Sequence, residues 1–275
     1  MKAKSGTNIP ITESSSNFDN LDTMSVEELL RHINEEDAKV HLAVRNALPQ
    51  IKNLVEQIEV RMKKGGRVFY LGAGTSGRLG VLDASEIPPT FGVPESMVIG
   101  LIAGGDTALR KSVEAAEDDQ DKAWASLQGF NINQNDTVIG IAASGTTPYV
   151  IGGIRHARDN GILTGCITCN PDSEIAEVTE YPIEAITGPE FVTGSTRVKA
   201  GTAQKMILNM ITTTIMIKLG RVKGNKMVNM QLTNKKLIER GTRMIVDELH
   251  IPSDDARRLL LIHGSVQKVI GNYQK

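Results

Sequence analysis

Two short stretches of this 275-residue sequence set hydroxyls and glycines where a phosphate group could be held. The first is Gly72-Ala-Gly-Thr-Ser-Gly77, followed by Arg78, and the second is Ala142-Ala-Ser-Gly-Thr-Thr-Pro148. Each comes straight after a short apolar run and before a helical pattern, so each should join a strand end to a helix start. Free amides at a helix N-terminus attract anions, because they are unpaired donors at the positive end of the helix dipole. The hydroxyls of Ser144, Thr146 and Thr147, with those of Thr75 and Ser76 from a neighbouring strand end, would then cradle a phosphate monoester without a lysine. A single loop of this kind is as readily a Gly-Ser turn that caps a helix. Two of them in one sheet favour a ligand.

The first loop also fits G-x-G-x-x-G, which in a dinucleotide fold would need an acidic residue at the end of the next strand to hold the ribose. Here that strand ends in Ile102-Ala103-Gly104-Gly105, and Asp106 arrives only after the glycines. Nicotinamide binding is therefore disfavoured. Cys166 and Cys169 form a C-x-x-C inside an apolar run, with no second pair to complete a zinc site, so buried thiols in a reducing cytoplasm are expected, with a redox pair as the alternative. The five histidines fall outside both loops.

These loops need elements to position them. From residue 67 onward short apolar runs alternate with helical stretches, the pattern of a parallel sheet covered on both faces. Strands are predicted at 68–71, 97–102, 137–142, 163–168 and 181–186, and helices at 77–84, 107–117, 148–159 and 199–219. Before them, residues 1–23 read as a polar arm without a core of its own. Ser25 and Glu28 have capping-box spacing ahead of a first helix, and a second helix ends at Gly65-Gly66. The tail from Met227 reads as helical again. The organisation is thus an N-terminal arm and helices (1–50), an α/β domain that carries the two phosphate-type loops (51–222) and a helical C-terminal region (223–275). Composition agrees with one globular chain: 40% of residues are hydrophobic, 23% are charged, and the formal net charge is −1. Such a balance offers no field for nucleic acid or anionic lipid, so any anion must be held locally. No segment has the length or continuity of a membrane span, and no secretory leader is evident.

The paired motifs GAGTSGR and ASGTTPY resemble the sugar isomerase (SIS) domain, a doubly wound α/β fold that binds phosphosugars. Longer stretches are similar to the N-acetylmuramic acid 6-phosphate etherases: residues 71–91 (LGAGTSGRLGVLDASEIPPTF), 102–118 (IAGGDTALRKSVEAAED), 193–204 (TGSTRVKAGTAQ) and 33–39 (INEEDAK). The resemblance covers nearly the whole chain, including a small C-terminal helical, UBA-like appendage. It implies removal of D-lactate from C3 of the muramic sugar by elimination and hydration, in a homodimer that uses no metal or organic cofactor. The family's two functional glutamates carry over onto Glu86, in DASEIPP, and Glu117, in VEAAED. At one position the sequence departs from the family: Thr146 stands where the second loop commonly reads ASGRTPY, and the missing guanidinium bears on how the substrate's anionic groups are held.

Two carboxyls suit this chemistry. A proton must leave C2, and another must reach the departing lactate oxygen, because an alkoxide is a poor leaving group. With the ring open, the aldehyde at C1 acidifies the C2 proton, and water adds at C3 of the unsaturated product. Glu86 is expected just beyond the helix after the first loop, stiffened by Pro88-Pro89, as the general acid. Glu117, at the end of its helix, is the candidate base. Gly74, Thr75, Ser76, Gly77 and Arg78 of the first loop and Ser144, Gly145, Thr146 and Thr147 of the second are the candidate substrate contacts. Glu190, Ser195 and Lys199 join them from the third family-like stretch, with Lys199 or Arg197 facing the lactate carboxylate and Glu190 assisting ring opening; surface ion pairing is the alternative for this cluster. An aldose–ketose isomerase and a non-catalytic sugar-phosphate regulator are the rival readings on the same fold.

Overall fold

The computed structural model describes residues 9–273, so the first eight residues of the expected arm lie outside the described residues. At the centre is a five-stranded sheet, all parallel, in the order β2-β1-β3-β4-β5. The strands are β1 (Val68–Gly72), β2 (Val98–Ile102), β3 (Thr137–Ile141), β4 (Leu163–Thr168) and β5 (Tyr181–Glu184). Each begins and ends within about two residues of the run that predicted it. The central strands read as unbroken apolar or β-branched segments because both faces are buried. On β1, Tyr70 faces one layer while Phe69 and Leu71 face the other.

One layer is built from α1 (Val26–Asn46), α2 (Leu48–Met62), α3 (Gly74–Phe91) and α8 (Lys199–Lys218). Leu54, Ile58, Ile207 and Ile211 are buried there against Ile139, Ile141 and Ile167 of the sheet. The opposite layer holds α5 (Lys122–Gly129), α6 (Pro148–Asp159) and α7 (Glu174–Val178), with Leu127, Ile154 and Ile175 against Val138 and Cys166. A short α4 (Gly105–Arg110) follows β2. The capping box at Ser25 forms as the spacing implies: the Ser25 amide donates to Glu28 Oε2 at 2.8 Å, and the Ser25 hydroxyl accepts from the Glu28 amide.

Two helices differ from expectation, and both differences move a glutamate. The helix after the first loop does not stop near Ala84 but runs to Phe91, with Pro88 and Pro89 inside it, so Glu86 lies on the helix rather than beyond it. Proline removes an amide and crowds the preceding turn, but its φ is already helical. The helix therefore continues to Gly92, whose φ of 63° closes it with an amide-to-Pro88 carbonyl bond. The second difference is at 107–117, where α4 ends at Arg110, Lys111 is extended, and only a 3-10 turn (Glu114–Glu117) follows. Val113 packs onto the backbone of Gly104, which turns the chain back on itself. This packing overrides the helical propensity of a run rich in Ala and Glu. The helices α5 and α7 had no sequence expectation.

The described part of the arm has no core of its own, yet it is docked: Thr12 is fully buried. Beyond α8, β6 (Val222–Lys223) and β7 (Lys226–Met227) form a hairpin, followed by α9 (Lys235–Leu249), α10 (Ser253–His263) and α11 (Val266–Tyr273) around a separate cluster that includes Ile245, Leu260 and Val269. The connection between β7 and α9 meets the sheet domain at the end of α3, where the Gln231 amide donates to Pro89 O at 3.1 Å and the Asn229 carbonyl presses on Gly92.

Candidate active site

Strand β1 leads through α3 to β2 on one side, whereas β3 lies on its other side. The chain therefore reverses its order between β1 and β3, and a crevice opens above their C-terminal ends, where open α/β sheets bind ligands. Gly72 and Ile141 are register partners at that edge, so the two glycine loops are neighbours. Ala73, the residue before α3, makes no side-chain cap, and neither does Thr147 before α6. Both helices thus point uncapped N-termini at the crevice, which is the geometry an anion takes.

In the first loop, Gly74 adopts φ 51°, a left-handed conformation that a β-carbon would strain. Gly77 lets the helix press against Gly72 and Ile102. Thr75 packs near Gly201 of α8, and Ser76, mostly buried, donates from Oγ to Gln204 Oε1 at 2.9 Å. Arg78 donates from Nε to the Leu109 carbonyl at the end of α4. In the second loop, Gly145 has φ 75° and packs against Ser173. Ser144 Oγ and Thr146 Oγ1 lie 2.9 Å apart, so the threonine at the family's arginine position folds back on its own loop.

Glu117 joins these loops. Its Oε1 lies 3.5 Å from where a β-carbon would stand on Gly74. The side chain is partly buried, and its carboxyl is held above the usual range by burial, with the charges of Asp118 and Glu114 adding to the shift. Glu86 is elsewhere. It lies on the exposed face of α3, and from Gly74 to Glu86 the helix rises about 18 Å, at about 1.5 Å per residue. The same helix is fixed to α8 by Asp83, which accepts from Asn209 Nδ2 at 2.7 Å, Tyr70 OH at 3.2 Å and Thr212 Oγ1 at 3.2 Å.

In the third cluster Glu190 and Lys199 are buried, whereas Arg197 is exposed. Glu190 is 0% exposed and accepts the amides of Lys199 (3.0 Å) and Ala200 (2.9 Å), capping α8 with both carboxylate oxygens. Lys199, 1% exposed, donates from Nζ to Glu36 Oε2 at 2.6 Å. Burial pushes the Glu36 carboxyl up, but hydrogen bonds from Lys199 and Lys39 outweigh it, and the net direction is down. The ammonium is thus paired with α1, and Ser195 stands half-buried in the turn that precedes α8. Asn170, Gln204, Glu36 and Asp83 were not singled out from the sequence. Each is a polar residue in an apolar neighbourhood, and only long-range contacts reveal its partners. Cys166 and Cys169 are free and buried, and burial pushes their thiols up to about 11 and about 12.

Residues 50–158 match the family described as the glucokinase regulatory protein N-terminal SIS domain, and residues 118–214 match the SIS domain family. Among curated proteins, the N-acetylmuramic acid 6-phosphate etherase of Bacteroides thetaiotaomicron is 66% identical over 267 residues, covering 97% of this chain and 96% of its own. The protein of the same name from Christiangramia forsetii is 63% identical over 95% of both chains. That from Salmonella typhi is 52% identical over 87% of this chain and 81% of its own. Among solved structures, a phosphoheptose isomerase from Francisella tularensis shares the fold with a TM-score of 0.56 at 17% identity, over 70% of this chain and 98% of that one.

Proposed function

Since the chain belongs to the N-acetylmuramic acid 6-phosphate etherases, we propose that it works as a homodimer in which Glu117 and the partner's Glu86 face one sugar. The enzyme is a carbon–oxygen lyase of cell-wall amino-sugar recycling. It cleaves the D-lactyl ether of N-acetylmuramic acid 6-phosphate by elimination and then hydration, giving N-acetylglucosamine 6-phosphate and D-lactate. We place it in the cytoplasm, where the buried thiols stay reduced. Among the described residues no helix is long and apolar enough to cross a membrane.

The phosphate sits between the uncapped ends of α3 and α6, against the Thr75, Ser76, Ser144 and Thr147 hydroxyls. The sugar then runs from the phosphate towards Glu117. Ionised, Glu117 takes the C2 proton of the open-chain aldehyde. Burial, with the charges of Asp118 and Glu114, raises its pKa and so makes it a stronger base than an ordinary carboxylate. Electrons from the C2–H bond form the C2–C3 double bond as the C3–O bond breaks, and the lactate oxygen receives a proton from the second glutamate. Water then adds at C3 while a proton returns to C2.

The observation that carries the dimer is the distance along α3. A glutamate about 18 Å of helix away from Gly74 cannot reach the same C2–C3 bond as Glu117 within one chain. Leu82, one turn before Glu86, is 52% exposed, so the same face of α3 offers apolar surface for a second copy to cover.

Mixing two inactive variants tests this. A dimer formed from Glu86→Gln and Glu117→Gln chains contains one site with both native glutamates if they come from different chains. Unfolding and refolding a one-to-one mixture should then recover about a quarter of native lactate release, given random pairing in a two-fold dimer. Recovery of none would put both glutamates in one chain.

A further inference from the structure

Asn170, just past β4, is 3% exposed and joins two parts of the chain that the chemistry does not otherwise connect. Its Nδ2 donates to Ala143 O (3.0 Å) and Ser144 O (3.2 Å), carbonyls that shape the second glycine loop, and to Thr12 Oγ1 (2.9 Å). Its Oδ1 accepts the Thr12 amide at 3.1 Å. A carboxamide suits this place, since its NH2 presents two donors to carbonyls while its oxygen accepts from an amide.

From Thr12 the arm runs on to the segment that precedes α8. Ser16 donates from Oγ to the Phe191 carbonyl at 2.8 Å, and its amide donates to Thr193 Oγ1 at 2.9 Å. The Phe18 ring lies 5.1 Å from Phe191 and 4.6 Å from His32, centre to centre. The arm therefore bridges the second glycine loop and the segment that leads through Glu190 and Ser195 into α8.

We infer that residues 11–18 form a strap energetically coupled to phosphosugar binding, with Asn170 as the positioning residue that carries the coupling. The inference rests on the reading that the second loop holds the phosphate. Which way the loop's amides face depends on where its carbonyls are held. Asn170 holds two of those carbonyls, and the docked strap fixes Asn170. Coupling of this kind is reciprocal: if strap docking tightens the loop on the ligand, the ligand tightens the strap by the same factor.

Two variants of the full chain test it. Asn170→Asp sets a carboxylate oxygen against two carbonyls, and Thr12→Val removes the hydroxyl while keeping the shape. KM for lactate release should rise about tenfold in the first and about fivefold in the second, the worth of one or two hydrogen bonds, with kcat changed less than about twofold. Thr12→Ser should restore the native KM. N-acetylglucosamine 6-phosphate should slow chymotryptic cleavage after Phe18 in the native protein, and slow it less in both variants. The coupling is overturned if a folded Thr12→Val protein keeps the native KM, or if the ligand leaves cleavage unchanged. Thr12→Val decides the matter should Asn170→Asp fail to fold. The doubly substituted Ser144→Ala, Thr147→Ala protein separates the two readings. An unchanged KM there removes the phosphate site itself, whereas a raised KM there with native values in the arm variants removes only the coupling.

Discussion

Glu117 lies partly buried against the first glycine loop, whereas Glu86 lies exposed near the far end of the helix that the same loop begins. The proposed acid and base thus occupy opposite surroundings. The wall around Glu117 is finished within a single chain: loops meet loops, Gln204 receives Ser76, and Asn170 braces the carbonyls. The face around Glu86 is unfinished, with Leu82 open beside it and the anchoring of the helix provided from behind by Asp83. A carboxyl in low dielectric is tuned by its neighbours, but one in water is not. On the proposed dimer, the base would be prepared by folding and the acid by association.

The contrast can be broken most forcefully at Glu117. Glu117→Gln is expected to lower lactate release about 10²- to 10⁴-fold, the worth of a positioned acid–base group, while phosphosugar affinity measured by calorimetry stays within a few-fold of native. Substantial turnover in that protein would dissolve the distinction altogether. The helix carrying Glu86 is vulnerable from its hidden side. Asp83→Ala strands Asn209 and Thr212 in the interior and should cost about 2–4 kcal/mol in chemical denaturation, and a loss near zero would mean that α3 is held by other contacts.

A smaller effect is expected where the phosphate is held. Ser144→Ala together with Thr147→Ala should raise KM about tenfold or somewhat more, for two lost hydrogen bonds, and should leave kcat nearly intact. The smallest effect sharpens the electrostatic side. Glu117 acts as a base only when ionised, so kcat/KM falls on the acid side as the carboxyl takes up its proton. Asp118 and Glu114 help burial to hold that carboxyl up. Neutralising them as Asp118→Asn and Glu114→Gln lowers it, so the acid limb should move to lower pH, and only slightly, because both side chains are exposed. A shift to higher pH would reverse the assigned sign.

The sheet was legible in the sequence because its central strands, buried on both faces, are apolar or β-branched and carry no charge to disguise them, and β4 and α6 were placed to the residue. The glycine loops were legible because φ above zero and close backbone approach select glycine. What escaped was set by distant packing. Pro88 and Pro89 read as stiffening a segment beyond the helix, but they fall in the last turn of a helix that Gly92 closes. The run from Thr107 to Glu117 reads as one helix, but the seat of Val113 on Gly104 breaks it and carries Glu117 to the loop. Lys199 and Glu190 read as surface charges or substrate ligands. Their partners are Glu36, far earlier in the chain, and the first amides of α8, which no local pattern announces.

The seam between the C-terminal helices and the end of α3 has a mechanical consequence. The Gln231 amide is tied to Pro89 O, and Asn229 rests on a glycine that leaves no room for even a methyl group. With so little slack at that joint, a torque applied to the tail passes directly to the turn of helix that carries Glu86. The tail then works as a lever arm on the end of α3.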